Sequence, residues 1–205
     1  MRRIFLLVIA LAIIFGLTVT GYADLKDMGD GTVYDMDTQL TWLKDAKYAR
    51  TSGYDPDDGM MSWYRSLAWA DNLVFAGFDN WRLPKMPDPN TNAGEMGHLF
   101  YDELKNEYYK PLNNVGPFVN LSPDEYYADH VYWSNTEYSV DPNYAWIFYF
   151  GSGAEGWYAT DQKDRDLMAW PVREGERSVP TPEPGILILL GISMASLAGL
   201  KRWWK

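Results

Sequence analysis

The sequence contains no cysteine in 205 residues. Disulfide frameworks, thiol nucleophiles and thiolate metal sites are therefore excluded. Histidine is nearly as scarce, with only His98 and His130. No Gly-x-Ser-x-Gly, His-Glu-x-x-His or phosphate-cradling glycine loop occurs. Basic residues are few, 18 Lys and Arg against 28 Asp and Glu. Arg2, Arg3, Lys201, Arg202 and Lys205 lie in the two ends, which hold no acid. Residues 24–184 keep 13 basic and 28 acidic side chains, a net charge of −15. A field of that sign repels nucleic acid and anionic lipid headgroups, and it argues against sulfated polysaccharide as a ligand. Lys163, Arg165, Arg173 and Arg177 are interleaved with acids and read as a mixed, solvated surface.

Long apolar runs occur only at the ends. Arg2 and Arg3 precede the unbroken run Ile4–Leu17, and Gly21-Tyr22-Ala23 offers small residues to a signal peptidase. Residues 1–23 read as a secretory signal, with an uncleaved membrane anchor as the alternative. At the other end Ser178–Pro184 is proline-rich and cannot hold a helix. Gly185–Leu200 is apolar or small throughout, and Trp203 and Trp204 lie among the basic residues that close the chain. A helix over Gly185–Leu200 would span roughly 24 Å. Trp203 and Trp204 would extend it as interfacial residues, giving a transmembrane helix over 185–204. The basic end stays cytoplasmic and residues 24–184 lie outside the inner membrane. This tail, 178–205, resembles the PEP-CTERM sorting signal of Gram-negative bacteria. Its marks are Pro182, Glu183, Pro184, the apolar run, and Lys201 and Arg202. The resemblance implies an exosortase as partner, a transient stay in the inner membrane, and release to the envelope or extracellular matrix.

An apolar fraction of 47% suits one globular domain between these ends. Thr32–Asp35 and Gln39–Leu43 are alternating runs that predict a hairpin. Ser62 predicts the N-cap of a helix to about Ala76, with Trp63, Leu67, Ala70 and Val74 on one face and Gly77 as its stop. Pro84 keeps the preceding residues extended. A second helix is expected from Asn92, with Glu95 as capping-box partner and Met96, Leu99, Phe100 and Leu104 as its stripe. Val131–Trp133, Tyr144–Phe150, Glu155–Thr160 and Met168–Arg173 read as strands. The class is α+β, with two helices and an antiparallel sheet over 24–177.

These landmarks resemble the Lcl C-terminal domain, also called DUF1566. The resemblance rests on Gly29–Asp35 with Thr38, Leu40 and Trp42, on Ala76–Pro84, on Glu95–Tyr101, on Tyr132–Glu137 and on Ala169–Arg173. It implies a C-type lectin-like fold in a secreted or surface protein of the adhesin type, and it assigns no activity.

Candidate sites follow from residue type. Asp55, Asp57 and Asp58 share a loop ending at Gly59 and could supply oxygen ligands to calcium, though the ligand set is incomplete. Asp124, Glu125 and Asp129 form a second acidic group. Asp88-Pro89-Asn90 and Asp141-Pro142-Asn143 loosely echo the calcium-side tripeptide of sugar-binding lectins and also suit ordinary turns. Trp157 and Tyr158 follow a glycine-rich turn and could present a flat face to a sugar ring, with Asn135 and Glu137 as polar partners. Arg82, flanked by Trp81 and Leu83, reads as structural, bonded to a carbonyl or an internal carboxylate. His98 reads as packed or capping. The sum is a non-enzymatic domain that binds a neutral polysaccharide or a surface protein. The alternatives are a polysaccharide hydrolase with paired carboxylates and a purely structural matrix component.

Overall fold

The computed structural model describes residues 25–86, 94–108, 110–121, 130–150 and 158–176, with only the backbone of Tyr158. The chain divides into two compact units, 1–175 and 176–205, and all described residues but Glu176 belong to the first. The signal segment, Trp157, Asp88–Asn90, the acidic group at 124–129 and the whole sorting tail lie outside the described residues. Among the described residues no helix is long and apolar enough to cross a membrane.

The first sheet takes β1 (Leu25–Asp27), β2 (Thr32–Asp35), β3 (Leu40–Leu43) and β7 (Val172–Glu174), antiparallel and in the order β1-β2-β3-β7. The expected hairpin is β2–β3, with Asp35 opposite Leu40. Leu25 faces Asp35 and Glu174 faces Leu40, so Leu25, Asp35, Leu40 and Glu174 form one row across the sheet. The second sheet is β4 (Val131–Glu137), β5 (Tyr144–Tyr149) and β6 (Tyr158–Gln162), also antiparallel. The single sheet expected from the sequence is thus two. They are joined because the segment before β7 bonds to both: Trp133 N–H of β4 donates to Met168 O at 2.9 Å and Leu43 N–H of β3 to Pro171 O at 3.3 Å.

Alternation explains why β4 and β5 read as near-continuous apolar runs. Successive side chains point to opposite faces of a strand. Tyr132, Phe148 and Phe150 join one core cluster, with Trp42, Phe100 and Trp170. Val131, Trp133 and Ile147 join another, with Trp63, Trp69 and Leu83. The first half of β4 and the adjoining part of β5 are therefore buried on both faces, while β6 at the edge is half-buried or exposed. Three buried indoles donate to carbonyls, Trp63 to Ser134 O, Trp133 to Met61 O and Trp170 to Leu43 O, at 2.8, 2.9 and 2.8 Å, whereas the buried N–H groups of Trp42 and Trp81 make no hydrogen bond.

Among the described residues there are three α-helices rather than two: α1 (Tyr48–Thr51), which was not expected, α2 (Trp63–Asp71), shorter than expected, and α3 (Glu95–His98), which runs on as a π-helical turn, Leu99–Glu103. Ser62 caps α2, its Oγ accepting from Arg65 N–H. The end of α2 corrects the expected helix to Ala76. The side-chain amide of Asn72 donates to Ala68 O at 2.8 Å and takes up the last turn. Val74 is 73% exposed rather than buried, and Trp69 fills the core position instead. Ala76 and Gly77 are not a helix stop. They sit at φ +52° and +84° in a two-residue turn closed by reciprocal Phe75–Phe78 hydrogen bonds of 2.9 and 3.0 Å. The α3 stripe is as expected, with Met96, Leu99, Phe100 and Leu104 all buried. Its N-cap is Gly94, and Glu95 turns away from any capping box toward Arg82. Two strands shift as well, Glu155–Thr160 to β6 and Met168–Arg173 to β7.

Candidate functional site

The N-terminus of α2 places two aromatic residues in succession. Trp63 is buried beneath the helix, and Tyr64, the next residue, turns outward and is 61% exposed. Their rings meet edge to face with centroids 5.3 Å apart, so Tyr64 stands on a rigid base. Tyr64 borders a cavity of about 460 Å³, together with Asp141, Asn143, Tyr144, Gln162 and Lys163. It also borders a second cavity of about 400 Å³, with Leu67, Asp71, Arg82 and Asn135. One tyrosine ring thus stands in the walls of both.

The polar groups of the first cavity are held by one another. Asp141 Oδ1 accepts from both the backbone and the side-chain amide of Asn143 at 2.9 Å, an Asx turn built by Asp141-Pro142-Asn143. Gln162 Nε2 donates to the Tyr144 hydroxyl at 3.3 Å. Lys163 is 4% exposed. Its ammonium donates to Glu137 and to Pro142 O and lies 4.3 Å from the Trp63 ring centroid. That charge is neutralised in place, so it braces the wall rather than meeting solvent.

Arg82 is spoken for in the same way. It bonds Glu95 in two prongs, reaches Glu174 at 2.5 Å and donates to Leu83 O at 3.1 Å. Burial alone would lower its pKa, and the hydrogen bonds to Glu95 and Glu174 outweigh that and raise it. The structural reading of Trp81-Arg82-Leu83 holds, with Trp81 and Leu83 in the core.

A second constellation lies at the end of β2. Asp35, His98 and Glu103 bring one ligand atom each within 4.8 Å of one another. Among the described residues this is the one group of three acid or imidazole side chains that converges.

The model of the Lcl C-terminal domain matches residues 31–173. The chain belongs to the Lcl C-terminal domain family. No curated protein matches it. The match begins just before β2 and ends within β7, so in this Lcl C-terminal domain both cavities and the Asp35 constellation lie inside the family region.

The residues singled out from the sequence are distributed unevenly around these features. Asn135 is in the wall of the second cavity, and Glu137 is bound to Lys163. Asp55 pairs with Arg65 at 3.2 Å, Asp58 Oδ1 accepts from Met60 N–H at 2.8 Å, and Asp57 is exposed. Trp157, Pro182, Glu183, Pro184, Lys201 and Arg202 lie outside the described residues, and Tyr158 is fixed only as the first residue of β6. Sequence reasoning missed Tyr64, Asn143 as an actual wall residue, and the partners of His98. The signal for Tyr64 was available, because a tyrosine one residue after a helix-facing tryptophan must point elsewhere.

Proposed function

We propose that this Lcl C-terminal domain protein is an exported binding protein of the Gram-negative cell envelope or extracellular matrix, which holds a neutral glycan at Tyr64. The carrying observation is the exposed Tyr64 ring shared by two cavities. A flat aromatic face suits the C–H face of a sugar ring. Asn135, Asn143 and Gln162 bring amides, each of which can both donate to and accept from hydroxyl groups. Lys163 and Arg82 are already neutralised by carboxylates, which favours a neutral ligand over a sulfated one. The charge of −15 over residues 24–184 favours the same choice.

The lectin-like reading of the fold, and calcium as a possible aid at Asp55, Asp57 and Asp58, belong to this proposal. So does the route: a signal segment over 1–23, a membrane helix over 185–204, and release by an exosortase that reads Pro182, Glu183 and Pro184. Glycan and exopolysaccharide binding to the full-length chain in detergent micelles tests the ligand, with calcium and again with chelator. Saturable binding without turnover supports the reading. Its absence in folded protein leaves a structural matrix role. Replacing Pro182-Glu183-Pro184 by alanines should hold the protein in the inner membrane, and unchanged release would refute the sorting route.

A further inference from the structure

We propose that Asp35, His98 and Glu103 form a binding site for a divalent transition-metal ion of the zinc class. The local structure explains how the residues meet. Asp35 ends β2, and its Oδ1 accepts from the N–H groups of Asp37 and Thr38 at 3.0 and 3.1 Å, which fixes the carboxylate. Its other oxygen, Oδ2, is buried, makes no hydrogen bond, and faces His98 Nε2 at 3.8 Å. The Asp35 side chain is only 1% exposed, so water does not solvate that oxygen from outside. His98 and Glu103 are five residues apart. On an α-helix such a pair would diverge, but the π-helical turn Leu99–Glu103 follows His98 directly, and Leu104 N–H bonds Leu99 O five residues back. Glu103 Oε1 thereby stands 3.4 Å from His98 Nε2.

The distances fit an ion between the groups. Metal–ligand bonds of 2.0–2.2 Å in a tetrahedral site leave ligand atoms about 3.4 Å apart. Asp37 Oδ2, 3.5 Å from the same Nε2, is available as a fourth ligand from the exposed side. On the far side of the ring, Asp102 Oδ2 lies 3.3 Å from Nδ1. A carboxylate there fixes the tautomer and aims Nε2 outward, as at histidine metal ligands generally. With the proton on Nδ1, the Nε2 lone pair would face carboxylate oxygens of Asp35, Asp37 and Glu103. A metal ion between them would satisfy the lone pair and all the facing carboxylate oxygens at once, whereas a second ring proton could serve only one of them well. One nitrogen and two or three oxygens suit zinc better than calcium, which takes six to eight oxygens.

The experiment uses the full-length chain in detergent micelles, stripped with chelator and titrated calorimetrically with Zn²⁺. One ion per chain should bind in the micromolar range or tighter, and Ca²⁺ should compete poorly. His98→Gln should abolish that binding, and Asp102→Asn should weaken it about 10- to 100-fold. Co²⁺ added to the wild type should give the intense visible bands of a four-coordinate site, a readout that needs no variant to fold. Tyr64→Ala should leave Zn²⁺ binding unchanged, which separates this site from the glycan reading. No Zn²⁺ binding by the wild type, or equal binding by folded His98→Gln, overturns the proposal.

Discussion

Arg82 and Glu95 form a two-pronged ion pair, Nη1 to Oε2 at 2.7 Å and Nη2 to Oε1 at 2.8 Å, that ties the extended Trp81–Pro84 segment to the first turn of α3. Glu95 also accepts from Lys85 N–H at 2.8 Å. Both side chains are four-fifths buried. Removing one member would strand the other away from water. Glu95→Gln and Arg82→Ala should each cost about 3 kcal/mol. The urea midpoint measures this, and the double variant should lose much less than the sum.

Acid should weaken the fold partly through Glu174. The hydrogen bond from Arg82 is the main reason its pKa lies below the ordinary 4.5. A lowered folded value means the contribution is present above 4.5 and is lost as the pH falls through the folded value. Glu174→Gln should flatten the stability profile in that acid range and leave it unchanged in slope near neutrality. Thermal melts across the acid range check the sign.

Tyr101 should ionise late. Burial, with a smaller push from Tyr108, raises its phenol to about 12. In an alkaline absorbance titration, Tyr101→Phe should remove amplitude from the high-pH end of the curve.

Two loop positions should respond in opposite directions. Ala76 adopts φ +52° in its two-residue turn, a conformation that costs a side chain about 1–2 kcal/mol. Ala76→Gly should raise stability by up to about 1 kcal/mol. Gly59, at φ +79°, has Arg50 Cβ 2.8 Å and Arg50 N 3.0 Å from where a Cβ would sit. Gly59→Ala should therefore destabilise, by about 1–3 kcal/mol. Chemical denaturation of both variants distinguishes the two outcomes.

At Tyr64 the expected effect is on binding alone. Tyr64→Ala should weaken a bound neutral glycan about tenfold, or ~1.4 kcal/mol, with little change in melting temperature because the ring is mostly exposed. Affinity and melting curves measured together separate loss of a contact from loss of the fold.

What the sequence made legible was local and periodic. The β2–β3 hairpin, the Ser62 cap and the stripe of Met96, Leu99, Phe100 and Leu104 depend on neighbours along the chain. The rest depends on partners far away in sequence. Glu95 has the spacing of a capping box, but an arginine 13 residues back outcompetes the helix end for its carboxylate. His98 looks like one more packed helical residue until the π-helical turn rotates Glu103 onto its side. Val74 fits the helical period, and the helix simply stops before it, because Asn72 caps early. The division into two sheets is equally invisible locally, since it rests on β7 pairing with the distant β3 rather than with its chain neighbour β6.

The row Leu25–Asp35–Leu40–Glu174 has a topological consequence. The first residue of β1 and the last of β7 are three strand spacings apart, about 14 Å, at the same pole of the sheet. The chain thus enters and departs through one doorway, like a bead knotted into a cord.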